Sequence, residues 1–286
     1  MISTSQELVK IALNNIKNVA KKNRKSEKVL TGFKELDKLT SGFKPGQLIV
    51  IGGRPGMGKT AFVISMTKKM AIGLGYPVAI FSLDMSSVQL ITRMISSETG
   101  ITSEKLRTGR IEEHEWELLN VKSGNLFNSP IFIDDTPLSY YNLAEKASRL
   151  ISQHDVKLII IDSIQLMNLR HPSLKNRKKE ISIIIRHLKT LALELEIPII
   201  ILSGLPRSVE TRIGSKRPLL SDLKQGRVAD VVMSIYRPEY YGLTEWEDGS
   251  SCEGQAELIL AKHPSSDLKN IRLKFTGHLA SFEDLN

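Results

Sequence analysis

The stretch Gln47–Met70, QLIVIGGRPGMGKTAFVISMTKKM, decides the fold that the rest of the chain can adopt. Its apolar start, Leu48–Ile51, predicts a buried strand, and a helix is predicted to begin at Lys59. Between them, Gly53–Thr60 has the pattern G-x-x-x-x-G-K-T, which forms a phosphate-binding loop when a strand precedes it and a helix follows it. Both flanks are present, so the sequence predicts an α/β domain that binds a nucleoside triphosphate rather than a glycine-rich turn without a ligand.

The residue types in this loop explain its affinity for phosphate. Glycines let backbone N–H groups converge on a phosphate chain without Cβ clashes, and the helix start adds unpaired N–H groups and the positive end of its dipole. Lys59 is predicted to pair with the β- and γ-phosphates, and the Thr60 hydroxyl to hold Mg²⁺. The predicted nucleotide-binding residues of this segment are Gly53, Arg54, Pro55, Gly56, Met57, Gly58, Lys59, Thr60 and Ala61.

Composition limits the class of protein. The 286 residues are enough for one large α/β domain, and 40 Lys and Arg against 31 Asp and Glu give a net charge of +9. This balance favours a polyanionic partner, nucleic acid before membrane. The single cysteine, Cys252, allows no internal disulfide and no zinc cluster. Because Met1–Lys10 is polar and no apolar run approaches membrane-spanning length, we expect a cytoplasmic protein.

The first 28 residues differ from the rest of the chain. Thr4–Glu7 has the pattern of a capping box and precedes an amphipathic helical pattern, and the charged segment Lys21–Lys28 reads as a linker. The helix could fold back on its own domain or dock on a neighbouring copy, and the second arrangement implies a homo-oligomer that closes into a ring if the rotation allows. We therefore expect residues 1–28 to form a helical arm and residues 29–286 to form the main domain.

The main domain carries strand signals that alternate with helical patterns. Near-continuous apolar strands separated by helices predict a mainly parallel sheet covered on both faces, and the clearest helical pattern is Glu180–Leu195. The last three strands are linked without long helices, so we expect them to pair antiparallel at one edge. The predicted strands are Leu48–Ile51, Val78–Leu83, Ile131–Ile133, Val156–Asp162, Ile197–Ser203, Val231–Tyr236, Ala256–Ala261 and Ile271–Phe275.

Two of these strands end in or near a carboxylate. Asp162 ends the apolar run Leu158–Ile161, where it could hold the metal opposite Thr60 or only cap a turn. Asp84 follows the run that begins at Val78, where it could polarise the water that attacks the γ-phosphate or be the N-cap of a helix that begins near Ser86.

A longer series of motifs resembles the C-terminal, RecA-like motor domain of DnaB-type replicative DNA helicases. The resemblance runs from about Val29 to the end, the preceding segment resembles that family's linker helix, and the family's separate N-terminal helical domain has no counterpart. The motifs are LTGFKELDKLTSGFKPGQLIVIGGRPGMGKTAF, PVAIFSLDMS, RTGR, PIFIDDTP, LIIIDSIQLM, KRPLLSDL, ADVVMSIYRPEYY and the strand end Ala261–Lys262.

The resemblance implies a RecA-like P-loop NTPase core with an N-terminal helical arm. It also implies a hexameric ring that binds ATP and Mg²⁺ at subunit boundaries, moves 5′ to 3′ along one DNA strand, and meets a helicase loader or primase. Lys59, Thr60 and Asp162 match the family's phosphate and metal ligands, and Asp84 and Lys262 match its catalytic positions. Arg93 matches an arginine that lies against adenine, although an exposed helical arginine is the other interpretation.

Three residues depart from the family pattern. Asp84 replaces a catalytic glutamate, Gly204 a glutamine that senses the γ-phosphate, and Pro264 an arginine supplied to the neighbour's ATP. Lys262 keeps the first of that family's two cations, or is a solvated lysine at a strand end. These departures leave two hypotheses open, an ATP-driven helicase and a hydrolysis-impaired relative that binds ATP and DNA as an assembly or regulatory module. A recombinase-like filament former fits the core but not the series of motifs.

Two basic segments follow core strands. One runs after Asp162 and the other after Ile197–Ser203, at the sheet edge where open α/β proteins place their ligands. They predict a cationic channel for the phosphates of single-stranded DNA, with ordinary solvated loops as the alternative. Segment Asp222–Asp230 is shorter than the corresponding segment of the family, which carries another DNA-facing loop. This difference predicts weaker binding of the DNA strand. The predicted DNA-binding residues are Arg177, Lys178, Arg207, Arg212, Lys216 and Arg217.

Overall fold

The structure is a computed structural model that describes residues 28–169, 176–265 and 267–285. The predictions for residues 1–27, which include the helical arm, lie outside the described residues. Three cations of the first basic segment, Arg170, His171 and Lys175, also lie outside them.

Strand β1, Leu48–Gly53, is the centre of the sheet, and all six of its residues are buried. Ile49 and Ile51 pack into the hydrophobic core on one face of the sheet, whereas Leu48 and Val50 pack into the core on the other face. A strand buried on both sides is typical of a sheet with helices on both faces. The apolar run in the sequence therefore predicted both the strand and its burial on two faces.

The described strands form one sheet of nine, in the order β3-β2-β4-β5-β1-β6-β7-β8-β9. The first six in this order are parallel, and β6 to β9 pair antiparallel. This confirms the mainly parallel sheet with an antiparallel edge. The strands after β1 are β2 (Val78–Ser82), β3 (Ile131–Asp134), β4 (Leu158–Asp162), β5 (Ile199–Gly204), β6 (Val231–Tyr236), β7 (Gln255–Lys262), β8 (Asn270–Thr276) and β9 (Ser281–Asp284).

Helices cover both faces of this sheet. Helices α2 and α3 bury residues in the core that contains Ile49, and α6 and α7 bury residues in the core that contains Leu48. Helix α7 begins three residues before the predicted Glu180, because Asn176 caps it by accepting from the Lys178 and Lys179 N–H groups at 3.1 and 3.3 Å. The helices are α1 (Lys34–Thr40), α2 (Lys59–Lys68), α3 (Ser87–Thr99), α4 (Ser103–Thr108), α5 (Glu113–Phe127), α6 (Tyr140–His154) and α7 (Arg177–Leu195).

The prediction of eight strands was incomplete. Strand β9 forms the antiparallel edge beyond β8, and its Phe282 lies 5.6 Å from the Phe62 ring and 4.8 Å from the Phe275 ring. The sequence of β9, SFED, contains a single apolar residue, so it shows neither an apolar run nor an alternating pattern.

Across the described ranges, no helix combines the length and the apolar character that crossing a lipid bilayer requires.

Candidate nucleotide-binding site and basic segments

The phosphate loop joins β1 to α2, and two of its glycines are required by its shape. Gly56 and Gly58 have φ angles of +80° and +94°, which L-residues with a Cβ rarely adopt. A Cβ at Gly56 would lie 2.7 Å from the Tyr240 ring, and one at Gly58 would lie 3.0 Å from the Phe282 ring. Both the φ angles and the close packing therefore require glycine at these two positions, and phosphate binding by the loop stays a prediction.

Lys59 lies at the first position of α2 and is folded back over the loop. Its Nζ donates to the carbonyl oxygens of Gly53 at 2.9 Å and Arg54 at 3.3 Å. Burial lowers the pKa of Lys59, and the negative charge of Asp162 opposes this effect. A partly desolvated ammonium group inside a glycine cradle is suited to an incoming phosphate.

Thr60 and Asp162 join the phosphate loop to β4. The Thr60 hydroxyl donates to Asp162 Oδ2 at 2.5 Å, and Asp162 is only 5% exposed. Burial raises the pKa of Asp162, while the Thr60 hydrogen bond and the charge of Lys59 lower it. A hydroxyl and a carboxylate are the hard oxygen donors that Mg²⁺ prefers, and Mg²⁺ commonly takes one or two protein ligands and completes its shell with phosphates and water. The donor set therefore fits Mg²⁺.

Asp84 is exposed and faces the same site. Its negative charge raises the pKa of both Lys59 and Asp162. The alternative that Asp84 caps α3 is wrong, because Ser86 is the N-cap and its hydroxyl accepts from the Gln89 N–H at 3.3 Å.

Arg93 lies on α3, and its positive charge lowers the pKa of Asp162. The helix therefore brings Arg93 to the same side of the sheet as the phosphate loop. Its contact with adenine stays a prediction.

Strand β5 lies between β1 and β4 and ends at Gly204. Beside it, Gln165 Nε2 donates to the Ser203 hydroxyl at 3.0 Å and lies 4.0 Å from the position of a Cβ on Gly204. The position of the family's glutamine therefore has room for a side chain, and Gln165 is a polar neighbour that the sequence analysis did not identify.

Two arginines at the phosphate loop make contacts that sequence reasoning missed. The Arg54 guanidinium points out of the loop, donating to Leu205 O at 2.7 Å and to Glu210 Oε2 at 2.8 Å. Arg237 donates to Gly56 O at 3.1 Å. These contacts join segments that are far apart in sequence, so no local sequence pattern predicts them.

Lys262 ends β7 and turns towards the protein. Its Nζ donates to Gly226 O at 3.0 Å and Ala229 O at 2.6 Å, so the alternative of a solvated lysine is wrong. The side chain borders a cavity of about 1090 Å³ whose charged lining residues are all basic. These cations are Lys178, Lys179, Arg186, Lys224, Arg227 and Lys262.

Arg177 and Lys178 lie in the first turn of α7 and not in a loop, which corrects the sequence interpretation. Arg177 pairs with Glu180 and donates to Gln165 O at 2.6 Å, whereas Lys178 is exposed.

The second basic segment follows β5, and most of its predicted DNA contacts already have partners. Arg212 pairs with Asp222 at 2.6 Å. Arg217 pairs with Glu247 at 2.8 Å and also with Glu257. Lys216 Nζ lies 5.2 Å from the centre of the Tyr241 ring, and Arg207 is exposed. A cation that already has a carboxylate partner contributes less to a phosphate site.

Comparison with known proteins agrees with this geometry. The family model of the DnaB-like helicase C-terminal domain matches residues 28–284. The replicative DNA helicase DnaB of Geobacillus stearothermophilus is 38% identical over 277 residues, which are 95% of this chain and 60% of that protein.

Two solved structures are similar along the whole chain. A DnaB-like replicative helicase, described with its interactions with primase, has a TM-score of 0.84 at 30% identity, with 68% of that chain covered. A second structure, described as an ATPase domain, has a TM-score of 0.85 at 29% identity, and both chains are covered completely.

The family match includes nearly all of the described residues, with the phosphate loop, Asp84, Asp162 and the basic segments inside it. The chain spans about three fifths of the Geobacillus relative, 60% of its length. On this sequence and structural agreement, the chain belongs to the DnaB-like helicase C-terminal domain family.

Proposed function

We propose that the chain is the ATP-driven motor of a replicative DNA helicase, which hydrolyses ATP with Mg²⁺ and moves 5′ to 3′ on single-stranded DNA. The observation that carries this proposal is the 2.5 Å contact between Thr60 and Asp162. It joins the end of β4 to the helix after the phosphate loop, in a chain of a helicase family. This is the arrangement of metal-binding residues that phosphoryl transfer in P-loop proteins requires.

In the proposed reaction, the triphosphate is held by the Lys59 ammonium group and by the backbone N–H groups of Gly56, Gly58, Lys59, Thr60 and Ala61. Thr60 and Asp162 hold Mg²⁺, which when bound neutralises charge on the phosphate oxygens. Asp84 orients the attacking water and accepts its proton. The exposure of Asp84 and its influence on Lys59 and Asp162 support this role.

Single-stranded DNA binds along the basic segments through its phosphates. Exposed Arg207 and Lys178 provide the first contacts, because both side chains face solvent. Three further arginines of the proposed surface have carboxylate partners in the absence of DNA, namely Arg177, Arg212 and Arg217. When DNA binds, they exchange these carboxylates for phosphates.

The motor works as a homo-oligomer, a hexameric ring, with residues 1–28 docked on the neighbouring subunit. Lys262 reaches the neighbour's ATP by releasing its contacts with Gly226 O and Ala229 O. Two apolar side chains exposed on one face of α5 support an assembly surface, with Trp116 at 55% and Phe127 at 89% exposure. Primase and a helicase loader are proposed as further partners, and the similar helicase structure described with primase supports the first of them.

The test is phosphate release with and without single-stranded DNA. We expect DNA to stimulate release, Lys59→Ala to abolish it, and the matched control Lys34→Ala, an exposed lysine on α1, to keep it. Family membership supports the motor rather than the hydrolysis-impaired module. Turnover at background level in a protein that binds ATP would reverse that preference.

A further inference from the structure

A single side chain connects the phosphate loop to the second basic segment. Arg54 lies in the phosphate loop, and its Nη1 donates to Leu205 O at 2.7 Å while its Nη2 donates to Glu210 Oε2 at 2.8 Å. Leu205 and Glu210 bracket the first turn of the segment, which carries Arg207. The Leu205 N–H also donates to Gly53 O at 3.3 Å, so backbone and side chain make the same connection.

Both ends of this connection are at least partly buried. The Arg54 side chain is 11% exposed and that of Glu210 is 33% exposed. The Glu210 hydrogen bond raises the pKa of Arg54, and the same hydrogen bond lowers the pKa of Glu210. A guanidinium group that donates through two of its nitrogens has a more fixed orientation than one held by a single contact.

Glu210 also lies among the cations proposed to bind DNA. The positive charges of Arg207 and Lys216 lower its pKa as well, although less than Arg54 does. The carboxylate therefore lies within the electrostatic influence of two further cations of the basic segment. A triphosphate bound beside Arg54 would compete with Glu210 for the guanidinium group. If Arg54 turns to the triphosphate, Glu210 loses its partner and attracts Arg207 and Lys216 more strongly, which leaves these cations less available to DNA.

We propose that Glu210 is a positioning residue which, through Arg54, couples occupancy of the phosphate loop to the affinity of the basic segment for single-stranded DNA. The inference rests on the proposed function and adds a route between its two ligands. The Arg54–Glu210 pair also provides a polar connection near Gly204, the position at which the family has a glutamine that senses the γ-phosphate. Gly204 has no side chain for that purpose.

The test compares the affinity for a labelled oligo-dT strand with and without a non-hydrolysable ATP analogue plus Mg²⁺, by fluorescence anisotropy on the full chain. Couplings between two ligand sites are commonly about 5- to 150-fold, so we expect the wild-type ratio of the two dissociation constants to depart from one by at least about fivefold. Glu210→Gln should bring the ratio to within about twofold of one, with ATP-analogue affinity changed by less than about threefold, because Glu210 does not touch the nucleotide.

Four further variants separate coupling from structure: Glu210→Asp, Glu253→Gln, Arg54→Gln, and Arg54→Gln combined with Glu210→Gln. Glu210→Asp keeps the charge and should keep part of the coupling, and Glu253→Gln, an exposed glutamate far along the chain, should keep all of it. Because Arg54 and Glu210 act as a unit, Arg54→Gln combined with Glu210→Gln should lose no more coupling than either single variant. A purely structural role would instead lower thermal stability and leave the ratio unchanged.

If Glu210→Gln has the same ratio of dissociation constants as the wild type, the inference is overturned and the proposed function stands. The same holds if the wild type binds both ligands but its ratio is one. Absence of ATP-analogue or oligonucleotide binding in the wild type would overturn the proposed function and this inference together.

Discussion

Asp162 is the residue whose surroundings reveal most about the site. It is a carboxylate with 5% exposure, and its hydrogen bond to Thr60 and the charge of Lys59 offset only part of the cost of burial. Burial raises its pKa as a result. A buried carboxylate of this kind lowers the stability of the empty protein and favours a cation that neutralises it.

The stability of the empty protein should show this cost. Because the pKa of Asp162 is raised above its ordinary value of 3.8, the folded chain binds this proton more tightly than the unfolded chain. Ionisation of Asp162 therefore destabilises the fold as the pH rises through the raised pKa. We expect Asp162→Asn to be more stable than wild type at pH 7 without Mg²⁺, and the difference in unfolding free energy to shrink as the pH falls.

Each unit of pKa shift is worth about 1.4 kcal/mol of that difference. Urea denaturation between pH 4 and 8 measures it. A difference that grows as the pH falls would contradict the assignment of Asp162 as a desolvated carboxylate.

Asp84 is one methylene shorter than the family's glutamate, so its carboxylate is withdrawn by about 1.5 Å. A displacement of that size at a reacting group can lower a rate by about a hundredfold. We expect Asp84→Glu to raise kcat for DNA-stimulated ATP hydrolysis by up to that factor, and Asp84→Asn to lower it. Steady-state phosphate release measures both, and no gain in the glutamate variant would show that aspartate already reaches the water.

At the scale of elements, β9 supports the phosphate loop by packing against it. Its Phe282 is 1% exposed, packs against Phe62 of α2, and lies beneath Gly58. Replacing a buried phenylalanine with alanine costs about 3 to 5 kcal/mol, so Phe282→Ala should lose that much unfolding free energy and also weaken nucleotide binding. Chemical denaturation with and without an ATP analogue measures both effects, and exposed Tyr141→Ala on α6 is the control. A loss below about 1 kcal/mol would mean that β9 only covers the edge.

Local sequence signals predicted the elements that depend on them. The strand, glycine loop and helix from Leu48 to Lys68, the seven further strands β2 to β8, and α7 were predicted because apolar periodicity and cap chemistry act within about a dozen residues. Asp162 was predicted because it ends an apolar strand.

Contacts between distant segments could not be predicted in this way. Arg217 meets Glu257 forty positions away, and Arg54 meets Glu210 across 156 positions. Their partners are set by the order of the strands, which no local pattern specifies. For the same reason the sequence predicted free basic loops where the structure has ion-paired arginines.

At the scale of the whole molecule, an exposed apolar surface accompanies the net charge of +9. Trp116 on α5 is 55% exposed and Phe127 is 89% exposed, and their spacing of eleven residues places both on one face of the helix, as an apolar contact patch requires. We expect Phe127→Glu to raise the protein concentration needed for assembly at least tenfold, a change of about 1.4 kcal/mol, while chemical denaturation of the monomer is unchanged. Light scattering with and without an ATP analogue measures this, and unchanged mass would show that α5 faces solvent in the assembly.

The central claim is that the phosphate loop, Thr60 and Asp162 together bind a magnesium-bound triphosphate. Isothermal titration of the full chain with a non-hydrolysable ATP analogue and Mg²⁺ tests it most directly. We predict a saturable heat with one site per chain, which weakens without Mg²⁺ and disappears in Lys59→Ala. No heat of binding in a folded wild-type protein would contradict the claim.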